Sequence, residues 1–232
     1  MESQSGSDAL KSLLKDFEKD ILRAQKEQME EYMTGFHVKS DVPCGDRKPF
    51  VIITVPHAKC TAGIEKHSCD YYAAESARIL SSKLNADEID NIVLEGDKNR
   101  FDIDLNRVES KDTEFHFILN GLIRQNSDRN ILLIDMHSGR FKENDSPFVP
   151  FHQPITLGNQ IADTIATEFK SNIPEGSIDN FVVNKVMSWD VPAILIEVNE
   201  EKDVSLEQFS QLRDIIVDYM DDYCTVKKGG NK

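Results

Sequence analysis

Positive charge is what this chain has least of. Lys and Arg number 27 against 41 Asp and Glu, which gives a formal net charge of −14 and a pI of about 4.8. Sequence-independent binding to nucleic acid needs clustered Lys and Arg to neutralise phosphates, so the composition argues against that class. Long apolar runs are missing as well. None approaches the roughly 18 residues that a membrane helix needs, and "MESQSGSDAL" contains no apolar core of a signal peptide. Cysteines are few: Cys44, Cys60, Cys69 and Cys224. The expectation is a soluble, cytoplasmic protein that keeps them as thiols, with Cys60 and Cys69 near enough in sequence to pair in an oxidising compartment. There is no internal repeat.

The chain does contain enough apolar residues for one sizeable core, 39% hydrophobic over 232 residues. Residues 8–33 place Leu10, Leu13, Leu14, Phe17, Ile21 and Ala24 at helical spacing. An N-terminal amphipathic helix is therefore expected within residues 1–36. It would pack on the domain or serve self-association through its apolar stripe. The turn-rich stretch "VKSDVPCGDRKP" reads as a linker ending at residue 49, and the terminal 227–232 reads as a frayed tail.

Between them, residues 50–226 alternate two kinds of segment. "FVIITVP", "NILLIDMHSG" and "PAILIEVNE" are continuous apolar, β-branched runs, as in strands covered on both faces. "NIVLEG", "RFDIDLNR" and "FVVNKVMS" read as further strands or extended edges, and "PFVPFHQP" as a Pro-rich loop. Helices are expected at "CDYYAAESARILSSKL", "TEFHFILNGLIRQ", "TLGNQIADTIATEFKSN" (capped by Thr156) and "SLEQFSQLRDIIVDYMDDYC" (capped by Ser205). This pattern predicts a single α/β domain with a mixed, mostly parallel sheet and helices on both faces.

In such sheets ligands gather beyond the carboxyl ends of the strands. The residues standing there are His57, His137 with Asp135 and Ser138 around it, Glu197, and the pair Asn106 and Arg107 with Arg100 upstream. Two histidines and a carboxylate form a common catalytic zinc set. A glutamate held in an apolar strand suits proton transfer. An arginine grips a carboxylate through two parallel hydrogen bonds, and an asparagine can add a third. Each residue also has a structural reading: strand-end histidines as packing groups, Asp135 orienting His137, Asn106 and Arg107 as a surface turn, Glu197 in an ion pair.

"VPHA" (55–58), "CD" opening a helix (69–84), "NRFDIDLNR" (99–107), "IDMHS" (134–138) and "PAILIEVN" (192–199) occur in one order. In these pieces the chain resembles the N-formylglutamate amidohydrolase family, within the zinc carboxypeptidase-like superfamily. The resemblance implies that His57, Asp70 and His137 hold one zinc ion and that Glu197 is the general base and acid. It further implies that Asn106 and Arg107 bind a substrate carboxylate and that Arg100 polarises the scissile carbonyl or stabilises the oxyanion. The first loop departs from the superfamily's usual His-x-x-Glu, since "HAKC" puts Cys60 at the glutamate position. Asp70, Cys60 and Glu65 are therefore all candidates for the third ligand. His67, His116 and His152 carry no motif.

The function expected is zinc-dependent hydrolysis of an amide bond near a free carboxylate, on a small-molecule or peptide substrate, with no nucleic-acid or membrane partner. The alternative is a non-catalytic binding protein that retains the fold.

Overall fold

The computed structural model describes residues 48–59, 69–97, 104–153, 158–174 and 180–229, with side chains as far as Asp222. The expected N-terminal helix, most of the linker, Cys44, Cys60, Glu65, His67, Arg100, the first part of "RFDIDLNR" and Thr156 lie outside the described residues.

Five strands form one sheet in the order β2-β1-β3-β5-β4. They are β1 (Phe50–Lys59), β2 (Asp90–Asp97), β3 (Ile131–Gly139), β4 (Phe148–Phe151) and β5 (Ala193–Asn199). The first four neighbours in that order run parallel, and only the edge strand β4 is antiparallel. The helices are α1 (Tyr71–Ala86), α2 (Glu114–Gln125), α3 (Asn159–Phe169), α4 (Phe181–Met187) and α5 (Leu206–Gly229). This is the mixed, mostly parallel α/β sheet that the run pattern predicts. No described helix is long and apolar enough to cross a membrane.

Successive strand residues face opposite sides of a sheet, and here the two sides differ. Val51, Ile53 and Val55 of β1, Leu132, Ile134 and Met136 of β3, and Ile194, Ile196 and Val198 of β5 join α1, α3 and α5 in one apolar core. Phe148, Phe169 and Phe209 close it with edge-to-face ring contacts at centroid distances of 5.1 and 5.4 Å. The intervening residues face the side that α2 and α4 cover. They begin apolar, with Ile52, Leu133 and Leu195, and turn polar toward the carboxyl ends, with Thr54, Asp135, His137 and Glu197.

Three expectations are corrected. "FVVNKVM" is the helix α4, not a strand. It buries Val182, Val183, Val186 and Met187, a helical spacing that its β-branched composition disguises. "FVPF" in the Pro-rich stretch is the strand β4, where an edge position tolerates Pro150. Asp104–Arg107 is a turn that leads into a 3₁₀ turn at Val108–Ser110, not the end of a strand. The cysteine expectation also changes, since Cys69 is disulfide-bonded. Ser205 caps α5 as expected. Its Oγ accepts from Gln208 N at 3.2 Å while Gln208 Oε1 accepts from Ser205 N at 2.8 Å, a reciprocal capping box.

Candidate metal centre

His57 is placed by an irregularity. The β1–β2 ladder pairs Val55 with Glu95 and next pairs Lys59 with Asp97, so β1 spends extra residues over that step. Such bulges bend a strand and re-aim its side chains. β2 can pass this close only because residue 96 is glycine, where a Cβ would lie 2.2 Å from the Pro56 carbonyl oxygen. Asp70 N donates to His57 O at 2.9 Å, which ties the start of α1 to the bulge.

Asp70 occupies the N-cap position of α1 yet makes no capping bond. Its Oδ2 lies 2.9 Å from His137 Nδ1 and 3.5 Å from His57 Nδ1. The three residues offer one ligand atom each, all within 4.8 Å of one another, and among the described residues no other group of His, Cys, Asp or Glu does so. Burial pushes the Asp70 carboxyl up, but hydrogen bonds from His137 and His57 outweigh that and hold its pKa below the usual value.

Each histidine is held from behind by a second carboxylate. His57 Nε2 lies 2.8 Å from Asp104 Oδ1, and His137 Nε2 lies 3.1 Å from Asp135 Oδ2. Burial alone would depress both imidazoles. Asp104 and Asp70 raise His57 instead, and Asp135 and Asp70 raise His137 well above the ordinary value. This cluster of carboxylates thus favours positive charge on the two rings. A divalent cation supplies the same charge, and a ring that donates Nε2–H to a carboxylate while presenting Nδ1 is the usual arrangement of a metal-bound histidine. The donor set therefore fits such an ion.

Glu197 sits beside His137, its partner in the β3–β5 register. Its Oε2 is buried and has no hydrogen-bond partner. Burial pushes its pKa up to about 7, where a proton moves on and off readily near neutrality. Gly139 leaves room next to it, since a Cβ there would lie 3.3 Å from that oxygen and 2.9 Å from the Phe141 ring. Beyond the strand ends, buried Asn199 donates to the carbonyls of Phe141, Asn144 and Ser146 and fixes the loop that follows Gly139.

The other expected residues are dispersed around this centre. Asn106 is buried, with Nδ2 2.9 Å from His137 Nε2. Arg107 is on the rim, its side chain 59% exposed and Nε 3.7 Å from Asp104 Oδ2. Ser138 donates to Glu200 at 2.9 Å rather than capping a loop. His152 pairs at the surface with Asp163 at 2.7 Å.

Sequence reasoning missed Thr54, Asp104, Asn180 and the role of His116. Thr54 was the one polar residue inside "FVIIT", a visible signal. Asp104 was hidden within an acidic alternation, and Asn180 preceded a segment that reads as a strand. His116 is fully buried, with Nε2 2.8 Å from Leu105 O and 2.9 Å from Ser110 Oγ. It anchors the turn that carries Asp104 and Asn106.

No protein-family model matches the chain, and no curated protein does. Solved structures do. A gene product of Agrobacterium tumefaciens aligns over 81% of this chain and 92% of its own, with 12% identity and a TM-score of 0.53. The catalytic domain of an endolysin targeting Clostridia difficile aligns over 73% and 97%, with 19% identity and a TM-score of 0.50. An N-formylglutamate amidohydrolase from Ralstonia eutropha gives 11% identity, 82% and 98% coverage and a TM-score of 0.49. At such identities the first two establish a shared fold and nothing finer, and the third adds no weight to it. The chain thus has the sheet-and-helix fold of the endolysin catalytic domain and the Agrobacterium protein.

Proposed function

We propose that this protein is a zinc-dependent hydrolase that cleaves an amide bond near a free carboxylate. The observation that carries the reading is the meeting of His57, Asp70 and His137 beside a buried glutamate oxygen with no partner. A zinc ion held by those three residues supplies a Lewis acid and lowers the pKa of water. Glu197 takes the proton from the attacking water and returns it to the departing nitrogen.

Arg107, exposed on the rim, grips the substrate carboxylate. Arg100 is assigned to the scissile carbonyl on the family resemblance alone. That resemblance also gives Asn106 a share in carboxylate binding. Its buried amide lies beside His137 rather than on the rim, which leaves most of the grip to Arg107. Amide rather than ester cleavage rests on the same resemblance.

Metal content tests the reading directly. Elemental mass spectrometry of the purified protein should find about one zinc per chain, as a site of two His and one carboxylate holds. His57→Ala and Asp70→Ala should each lose it. Zinc kept by Asp70→Ala would move the third ligand to Cys60 or Glu65. A wild-type protein that takes up no metal after zinc is added back would overturn the hydrolase and favour a binding protein on this fold.

A further inference from the structure

Asp135 is fully buried, so its carboxylate must find all its partners within the protein. Thr54 Oγ1 donates to Oδ1 at 2.5 Å. Oδ2 receives Asn180 Nδ2 at 2.7 Å and His137 Nε2 at 3.1 Å. Asn180 is itself 2% exposed, and its Oδ1 accepts from Val183 N at 3.0 Å, which caps α4. One amide thus uses its oxygen for the helix and its nitrogen for the carboxylate. Few side chains can do both: Asp and Ser also cap helices, but Asp has no donor and Ser is too short to span the two partners.

We infer that Asn180 is a positioning residue for His137: it fixes Asp135 Oδ2, which holds the imidazole by Nε2 and so presents Nδ1 toward Asp70 and the ion. The inference rests on the metal-site reading above and extends it to a residue on a separate element. Without the Asn180 donor, Asp135 can turn about its Cβ–Cγ bond toward Thr54 and release the ring. Outer partners of metal-bound histidines change metal affinity by about 10–100-fold when removed.

The test is zinc affinity by competition with a chromophoric chelator, on full-length protein whose folding is checked by circular dichroism. Asn180→Ser keeps a capping hydroxyl and loses the donor, while Asn180→Ala loses both. Both should bind zinc about tenfold or more weakly than wild type, and by similar factors. In an Asp135→Asn background the same substitutions should add little, because they act through Asp135. Asn180→Asp keeps volume and cap. It should lose affinity too, because an ionised carboxylate beside Oδ2 has no proton to give it and repels it, and this variant carries the test if the smaller ones do not fold.

If Asn180 only capped α4, Asn180→Ser would bind zinc as wild type does, and any loss in Asn180→Ala would be independent of Asp135. Either result overturns the inference. A wild-type protein without zinc affinity overturns the metal-site reading instead, so the two failures are distinguishable.

Discussion

The two faces of the sheet are built from the same three strands and do different work. On the face under α1, α3 and α5, every central position of β1, β3 and β5 is apolar. On the opposite face the same strands pass from Ile52, Leu133 and Leu195 to Thr54, Asp135, His137 and Glu197. Burying a large aliphatic side chain contributes about 1.5–3 kcal/mol, so the first face supplies stability outright. The second spends several such positions on groups that are costly to bury unless partnered. Almost all are partnered, by Thr54, Asn180, Asp70 and Asp104. The contrast teaches where the proposed function resides on this sheet. It lies where alternation places polar atoms, and most of all at Glu197 Oε2, the one buried carboxylate oxygen among the described residues without a partner.

Glu197 tests that contrast most severely. Glu197→Gln keeps the shape and removes the base. Turnover of an N-acyl amino acid should fall at least a hundredfold, while zinc content and unfolding midpoint stay near wild type or the latter rises, since a buried carboxylate is removed. Retained activity measured by amine release would show that the unpartnered oxygen is not the base. Loss of zinc together with activity would make Glu197 a ligand and redraw the site.

Much of this division was legible in the residues themselves. Strands buried on both faces announce themselves as runs such as "AILIEV", and the polar interruptions at Asp135, His137 and Glu197 fall at alternate positions. Strand order was not legible, because it depends on which edges meet. Nor were the supports of the site. Asp104 and Asn180 acquire their roles only through contacts with residues 47 and 45 positions away, and no local pattern encodes those. The stretch around Asn180 misled for a further reason. Its valines favour strands in isolation, but in α4 they form one buried helical stripe, and tertiary burial outweighed propensity.

His116 sharpens the comparison from within the site's own side, as a buried polar group that holds the turn carrying Asp104 and Asn106. Burial first, and then the charge of Lys185, hold its pKa down at about 4 against an ordinary 6.5. The folded protein keeps it neutral, with Nε2–H donated to Leu105 O. Between those two values the unfolded chain binds a proton that the folded chain does not. The contribution is therefore complete above the ordinary value and is lost as pH falls toward about 4, roughly 3 kcal/mol in all. Urea unfolding across that window should show the loss. His116→Gln, which retains a nitrogen donor without titrating there, should flatten it. An unchanged slope would assign the acid sensitivity to other groups.

Arg107 belongs to neither face, and the smallest effect is expected from it. Its side chain is largely in solvent, so removal costs little stability. Arg107→Ala should raise KM for an N-acyl amino acid by about tenfold, the value of one exposed charge-assisted contact, and leave kcat nearly unchanged. The methyl ester of the same substrate should bind wild type and variant alike. Zinc affinity should also hold, because Asp104 uses its two oxygens separately. Oδ1 takes His57 Nε2 at 2.8 Å and Asn106 N at 2.9 Å, whereas Oδ2 faces Arg107 at 3.7 Å. If Arg107→Ala lowered zinc affinity as well, the arginine would be acting through Asp104 on His57, and the rim would be continuous with the buried face rather than independent of it.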